Sequence, residues 1–75
     1  MKVYDKAKLQ KLVSEAIAAT VENDPQTAKC SDKDMAWEIV AFCDEIAEMI
    51  LDPVTEKIDY EPVERAVAKD RSSKS

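Results

Sequence analysis

Glycine and histidine are both absent from the 75 residues of this chain. Glycine lets a backbone turn sharply or approach a ligand closely, so its absence excludes phosphate-binding loops, dinucleotide-binding turns and EF-hand calcium loops. Histidine is the side chain best suited to proton transfer at neutral pH and the commonest metal ligand. Without these tools, we expect a protein that is not an enzyme and has no catalytic residues.

Cysteine is scarce as well, with only Cys30 and Cys43 in the chain. A structural zinc site takes four ligands, which two cysteines without histidine do not supply. The carboxylates of Asp44, Glu45 and Glu48 lack the Glu-x-x-His partners found in helix-bundle metal sites. The sequence therefore predicts neither a metal site nor a bound cofactor.

Long apolar runs are missing too, because charged residues interrupt each run before it reaches the roughly 18 residues of a membrane span. The first ten residues, MKVYDKAKLQ, lack the apolar stretch of a secretory signal. We therefore expect a cytoplasmic protein that does not contact membranes. Its two thiols would be reduced, as cytosolic thiols generally are.

Chain length limits the size of the core. A domain of this length buries only about 60% of the surface of its unfolded chain, so its stability is marginal. Disulfides, metals or oligomerisation usually compensate in small proteins. Because the composition disfavours the first two, we expect self-association or a partner protein.

Apolar residues recur with helical spacing in three regions. The first predicted helix covers about residues 5–22, is capped by Asp5, and has one apolar face. The second covers about residues 32–51, where Ser31 and Asp34 resemble a capping box. The face of the first helix consists of Leu9, Leu12, Val13, Ala16 and Ile17.

Proline marks the boundaries between these regions. Pro25 suits the first turn of a short helix in the connection, and Pro53 suits another helix start, with a helical turn or two around residues 54–58. A third helix is predicted over about residues 62–69, beginning at Pro62. Residues 71–75 read as a polar flexible tail. The predicted fold class is all-α: one domain over residues 1–70, an antiparallel helical hairpin with a short third helical region packed across it.

The second helix has an unusually wide apolar side. At about 100° per residue, one side gathers Met35, Ile39, Phe42, Cys43, Ile46, Met49 and Ile50. Four further residues, Ala36, Val40, Ala47 and Leu51, widen this side to roughly 200°, against roughly 100° for an ordinary surface helix. Ile39 and Ile46 lie at its centre and are predicted core residues.

Trp37, the only tryptophan, projects just beyond this apolar side. One interpretation makes it the margin of the core, covered by the third region, or a residue buried in a dimer. The other makes Trp37 and Ala41 an exposed spot ringed by carboxylates. Tryptophan is highly buried on average but is also enriched at binding hot spots. We favour packing over exposure, and the two interpretations predict different fluorescence.

Charge is concentrated in the middle of the chain. Residues 24–52 carry two lysines against eight acidic residues, a net charge of −6. An acidic surface repels phosphate backbones, so we expect no direct binding of nucleic acid. Because Lys29 and Lys33 interrupt the acids, the simplest interpretation is a solvated face, and the functional one is a site for a basic partner.

Together these features predict a small acidic, non-catalytic protein with an interaction or regulatory accessory role. It would bind another protein through a basic or apolar patch on that partner, or form a homodimer. The first alternative is an acidic inhibitor, for example one encoded by a phage, that blocks a nucleic-acid-binding surface of a host enzyme. The second is a minor enzyme that uses carboxylates. The candidate partner-binding residues are Trp37, Val40, Ala41, Asp44, Glu48 and Leu51.

Overall fold

The computed structural model describes residues 4–74, with the side chains of residues 4–73. It contains helix α1 (Lys6–Asn23), a 3₁₀ helix (Pro25–Lys29), α2 (Asp32–Phe42), α3 (Asp44–Ile50), strands β1 (Leu51–Asp52) and β2 (Lys57–Ile58), and α4 (Glu61–Lys74). The described chain is thus mostly helical, as predicted, with a small two-stranded sheet that was not predicted. Residues 1–3 of the predicted domain and Ser75 of the predicted tail lie outside the described residues.

The predicted starts of the first helix, of the short helix at Pro25 and of the second helix are confirmed. The Asp5 carboxylate accepts hydrogen bonds from two N–H groups of the first turn of α1, at 2.9 and 3.2 Å. The Ser31 hydroxyl accepts one from the N–H of Asp34 at 3.1 Å. Pro25 opens the 3₁₀ helix, where its missing N–H would have no helical partner. These short-range interactions fix the helix starts independently of distant contacts.

The single helix predicted over residues 32–51 is wrong, because the chain is extended at Cys43 (φ −123°, ψ 103°). The N–H of Cys43 still donates to the carbonyl of Ile39 at 2.9 Å, which completes α2 before α3 begins. The apolar side of α3 is therefore set independently of α2. On the single predicted helix, residues now in α3 helped to place Phe42 within the apolar side. On α2 alone, the buried side is centred closer to Val40, and Phe42 is exposed.

The predicted helical turn around residues 54–58 is also wrong, since this segment closes an antiparallel hairpin. Leu51 pairs with Ile58, and Asp52 pairs with Lys57. Pro53 begins the connecting turn rather than a helix. A pairing of two residues per strand is too short to leave a period-two pattern in the sequence.

Asp52 organises the turn of this hairpin. Its carboxylate accepts hydrogen bonds from the N–H groups of Val54 at 2.8 Å and Thr55 at 3.4 Å, as in an Asx turn. The bond from Val54 lowers the pKa of Asp52 below its ordinary value. Glu56 completes the turn with a φ of 56°, a conformation that glycine ordinarily supplies. The hairpin therefore forms without glycine, with one residue in a conformation unfavourable for its side chain.

The core is built from the inner sides of all four α-helices. Ile39 and Ile46 are fully buried, which confirms both as core residues. Helix α4 contacts α1 and α2, and α1 also contacts α2. Within residues 4–74, no helix has the length and apolar content required to cross a membrane. The buried apolar residues are Leu9, Val13, Ile17, Met35, Ala36, Ile39, Val40, Ile46, Ile50, Val63, Ala66 and Val67.

The predicted end of the last helix at residue 69, followed by a flexible tail, is wrong because α4 continues to Lys74. Arg71 anchors this extension. Its Nη1 donates to the carbonyl of Cys30 at 2.8 Å and to the Asp32 carboxylate at 2.7 Å. The hydroxyl of Ser14 donates to the Asp70 carboxylate at 2.6 Å. These partners lie far away in sequence, so the polar composition of the segment did not reveal them.

Truncation of Ile46 to alanine should lower the free energy of unfolding by about 2–5 kcal/mol, because it removes a fully buried side chain. Urea unfolding followed by circular dichroism measures this change. Val54→Ala is the matched control: Val54 is 89% exposed, so its truncation should change stability by less than about 0.5 kcal/mol. An unchanged midpoint for Ile46→Ala would contradict the assignment of the core.

Arg71→Ala should destabilise the protein by about 1 kcal/mol, because it removes charge-assisted hydrogen bonds from α4 to Cys30 in the connection and to Asp32 at the start of α2. Arg65→Ala is the control on the same helix. Arg65 pairs with Glu61 one turn away on a solvent-exposed surface, so its loss should cost at most about 0.5 kcal/mol. Equal midpoints for the two variants would show that Arg71 does not anchor α4.

Candidate protein-interaction surface

The only tryptophan and the only phenylalanine of the chain both lie exposed on α2. Trp37 is 59% exposed and Phe42 is 68% exposed. Side chains of this size ordinarily contribute much of the burial energy of a small core. Here the core uses aliphatic residues and Met35 instead. Two large apolar side chains left in water on one short helix mark its solvent side as the candidate site.

Helical spacing defines the arrangement of this surface. Trp37 and Ala41 lie one turn apart, as do Glu38 and Phe42, and all four residues are exposed. At 100° per residue, the two aromatic residues project about 140° apart, with Glu38 and Ala41 between them. We call these four residues the outward face of α2. It presents two aromatic flanks around a small side chain and a carboxylate.

The opposite side of α2 holds this face in place. Met35, Ala36, Ile39 and Val40 are buried against the neighbouring helices. Rotation of α2 about its axis would expose these side chains, so the direction of the outward face is fixed by packing. A rigid surface loses little conformational entropy when a partner binds.

Acidic side chains predominate in the sequence around the outward face, although the exposed Lys33 lies one turn before Trp37. Asp34 is exposed on α2, and Asp44, Glu45 and Glu48 are exposed on α3. Lys8 of α1 forms an ion pair with Glu45 at 3.0 Å. Residues 32–50 carry six acidic residues and one lysine, a net charge of −5. The electrostatic potential near the exposed aromatic side chains is therefore expected to be negative.

The predicted partner-binding residues do not form one surface in the structure. Trp37 is exposed, so its interpretation as the margin of the core is wrong for the isolated chain. Val40 is only 5% exposed and belongs to the core rather than to a surface. Leu51, at 38% exposure, belongs to β1. The other predicted residues, Ala41 on α2 and Asp44 and Glu48 on α3, are exposed.

Phe42 is the residue that the sequence did not identify as part of the surface. Its projection on one continuous helix placed it with Ile39 and Ile46 in the core. The break at Cys43 separates Phe42 from the apolar side of α3. The sequence around the break contains neither proline nor glycine, the residues that ordinarily signal one.

A concave feature lies elsewhere, between α1, the 3₁₀ helix and the last turns of α4. This open groove has a volume of about 650 Å³ and is lined mainly by apolar side chains, including Ile17 and Val21. Arg71 borders it, with Nη2 3.8 Å from the Sγ of Cys30. The guanidinium is already engaged in holding α4 to the connection. Among the described residues, no group of three His, Cys, Asp or Glu side chains is arranged to hold a metal ion.

Because Trp37 is the only tryptophan, its fluorescence reports this surface directly. In dilute protein, we expect the emission of a water-exposed indole and efficient quenching by acrylamide, since 59% of the residue is exposed. Unfolding in urea should change the emission wavelength little. A short-wavelength emission protected from acrylamide would show that Trp37 is buried, and would contradict the candidate site.

Comparison of the chain with models of protein families, with curated proteins and with solved structures finds no match in any of the three. The geometry and charge of the chain itself are therefore the guide to its function. The most distinctive feature is the outward face of α2, where Trp37 and Phe42 are exposed.

Proposed function

We propose that this chain is a small acidic, non-catalytic protein that acts by binding another protein through the outward face of α2. The observation that carries the proposal is the exposure of both Trp37 and Phe42 on one helix. Large exposed apolar patches on soluble proteins are typical of association sites. Aromatic residues, tryptophan above all, contribute strongly to binding free energy when a partner buries them.

The scaffold we propose for this surface is a hairpin of α1 and α2 with α4 packed across it. Support comes from the contacts of α4 with both α1 and α2, and from the contact between α1 and α2. A regulatory or accessory role in the cytoplasm completes the proposal. The free thiols of Cys30 and Cys43 suit a reducing compartment.

A second candidate function is an acidic inhibitor that occupies a nucleic-acid-binding surface of another protein. The exposed acids Asp34, Asp44 and Glu48 favour this function, because they could take the place of phosphates against a basic site. The two candidates use neighbouring surfaces but differ in one respect. Nucleic acid should displace the chain from its partner only if the chain is such an inhibitor.

The proposal predicts that capture of a partner depends on the aromatic side chains of α2. The tagged wild-type chain and the Trp37→Ser and Phe42→Ser variants would each be used to capture proteins from a lysate of the source cells. We expect a partner that the wild-type chain retains and both variants lose, because the apolar contact area is removed. Quantitative mass spectrometry measures the retained fraction.

Val54→Ser is the matched control for this experiment, because Val54 is 89% exposed but lies in the hairpin turn rather than on α2. Circular dichroism should show the same helix content for all variants. Retention of the same partner by the Trp37 and Phe42 variants would contradict the proposed surface. Addition of DNA or RNA to the captured complex distinguishes the inhibitor candidate.

A further inference from the structure

The outward face of α2 is small, so a homodimer formed through it would need further contact area. Helix α2 has 11 residues and is therefore about 16 Å long. A stable interface buries about 800 Å² on each partner, which four exposed residues do not supply. The remaining contact area would have to come from residues around this face, in a segment, residues 32–50, with a net charge of −5.

Charge opposes a second copy further. A two-fold dimer brings the same patch of both chains together, so each residue near the axis meets its own equivalent. Glu38 lies between the aromatic residues, and Asp34 lies one turn before it. A dimer with its axis at Glu38 would therefore bring carboxylate toward carboxylate beside the buried rings. Like charges facing each other across an interface suppress association.

A partner with positive charge is complementary to the same surface. Lysine or arginine side chains on the partner would pair with Asp34 and Glu38 instead of being repelled. A cation can also lie over the face of the Trp37 indole, where the negative face of the ring attracts it. Between the aromatic flanks, the small side chain of Ala41 leaves room for an apolar side chain of the partner.

We propose that the occupant of the outward face of α2 is a basic segment of another protein, apolar at its centre and flanked by lysine or arginine, and not a second copy of this chain. This inference rests on the proposed function and specifies its partner. The apolar centre covers Trp37, Ala41 and Phe42, while the cations meet Asp34 and Glu38. Charge complementarity accelerates the encounter, and burial of the aromatic side chains slows dissociation.

The test uses two synthetic peptides of about 18 residues, a length sufficient for an amphipathic helix. One contains leucine and lysine, the other contains leucine and glutamate in the same pattern, and neither contains an aromatic residue. The full chain is titrated with each peptide while Trp37 emission is recorded. We expect the lysine peptide to shift the emission to shorter wavelength in a saturable manner. The glutamate peptide should produce no shift.

Salt and charge variants test the electrostatic part of the proposal. Raising the salt concentration from about 0.05 M to about 0.5 M should weaken binding of the lysine peptide by about tenfold, because rim charges are screened. Glu38→Gln should weaken it by a few-fold. Glu22→Gln on α1 is the matched control, since it removes an exposed carboxylate away from α2 and should change nothing. Equal binding of both peptides, or equal effects of the two variants, would overturn the inference.

Sedimentation of the chain alone tests whether a second copy occupies the outward face of α2. We expect a monomer over the whole concentration range of the titration, with Trp37 emission insensitive to dilution. A dimer in which the Trp37 emission shifts to shorter wavelength would overturn the inference in favour of a second copy. If the lysine peptide fails to bind but capture of a cellular partner still requires Trp37 and Phe42, the inference fails and the proposed function stands. If the Trp37 and Phe42 variants capture the partner as well as the wild-type chain does, the proposed function itself is contradicted.

Discussion

Burial of one side of α2 is the constraint on which the rest of the structure depends. Met35, Ala36, Ile39 and Val40 are buried where α2 meets α1 and α4. Close packing leaves little freedom to rotate a helix whose buried side chains interdigitate with two neighbours. The same packing that forms the core therefore holds Trp37 and Phe42 in solvent. Stability and the candidate site arise from opposite sides of one helix.

The absence of glycine shapes the connections between elements. Helices often end at a glycine in the left-handed conformation, but here the residues after α1 and α2, Asp24 and Cys43, are extended. Their N–H groups still bond to carbonyls in the last turn of the preceding helix, at 2.9 Å in both cases. Among residues 4–74, only Glu56 adopts a positive φ, in the hairpin turn that Asp52 supports. Side-chain hydrogen bonds and extended caps thus replace the turns that glycine would make.

The outward face of α2 leaves large apolar side chains exposed at some cost to stability. Trp37 and Phe42 would contribute more to folding if they were buried, and a small domain has little stability in reserve. Acidic residues such as Asp34 and Glu38 lie on the same side of α2 as these side chains. This combination is the basis for the proposal of a positively charged partner rather than a second copy.

The sequence alone determined the features that depend on neighbouring residues. Asp5 and Ser31 cap the helices predicted to follow them, Pro25 begins the short helix, and the 3.6-residue period identified Ile39 and Ile46 as core. These follow from local hydrogen bonding and from the direction of a side chain relative to its own helix axis.

Only the tertiary structure decided the break at Cys43, the hairpin, the extension of α4 and the exposure of Trp37 and Phe42. Arg71 holds the end of α4 through partners some forty residues earlier, a contact that no local pattern contains. A helical projection gives the direction of Trp37 but not which helices cover that direction. That coverage is set by the packing of α1, α3 and α4 around α2, because burial depends on neighbours distant in sequence.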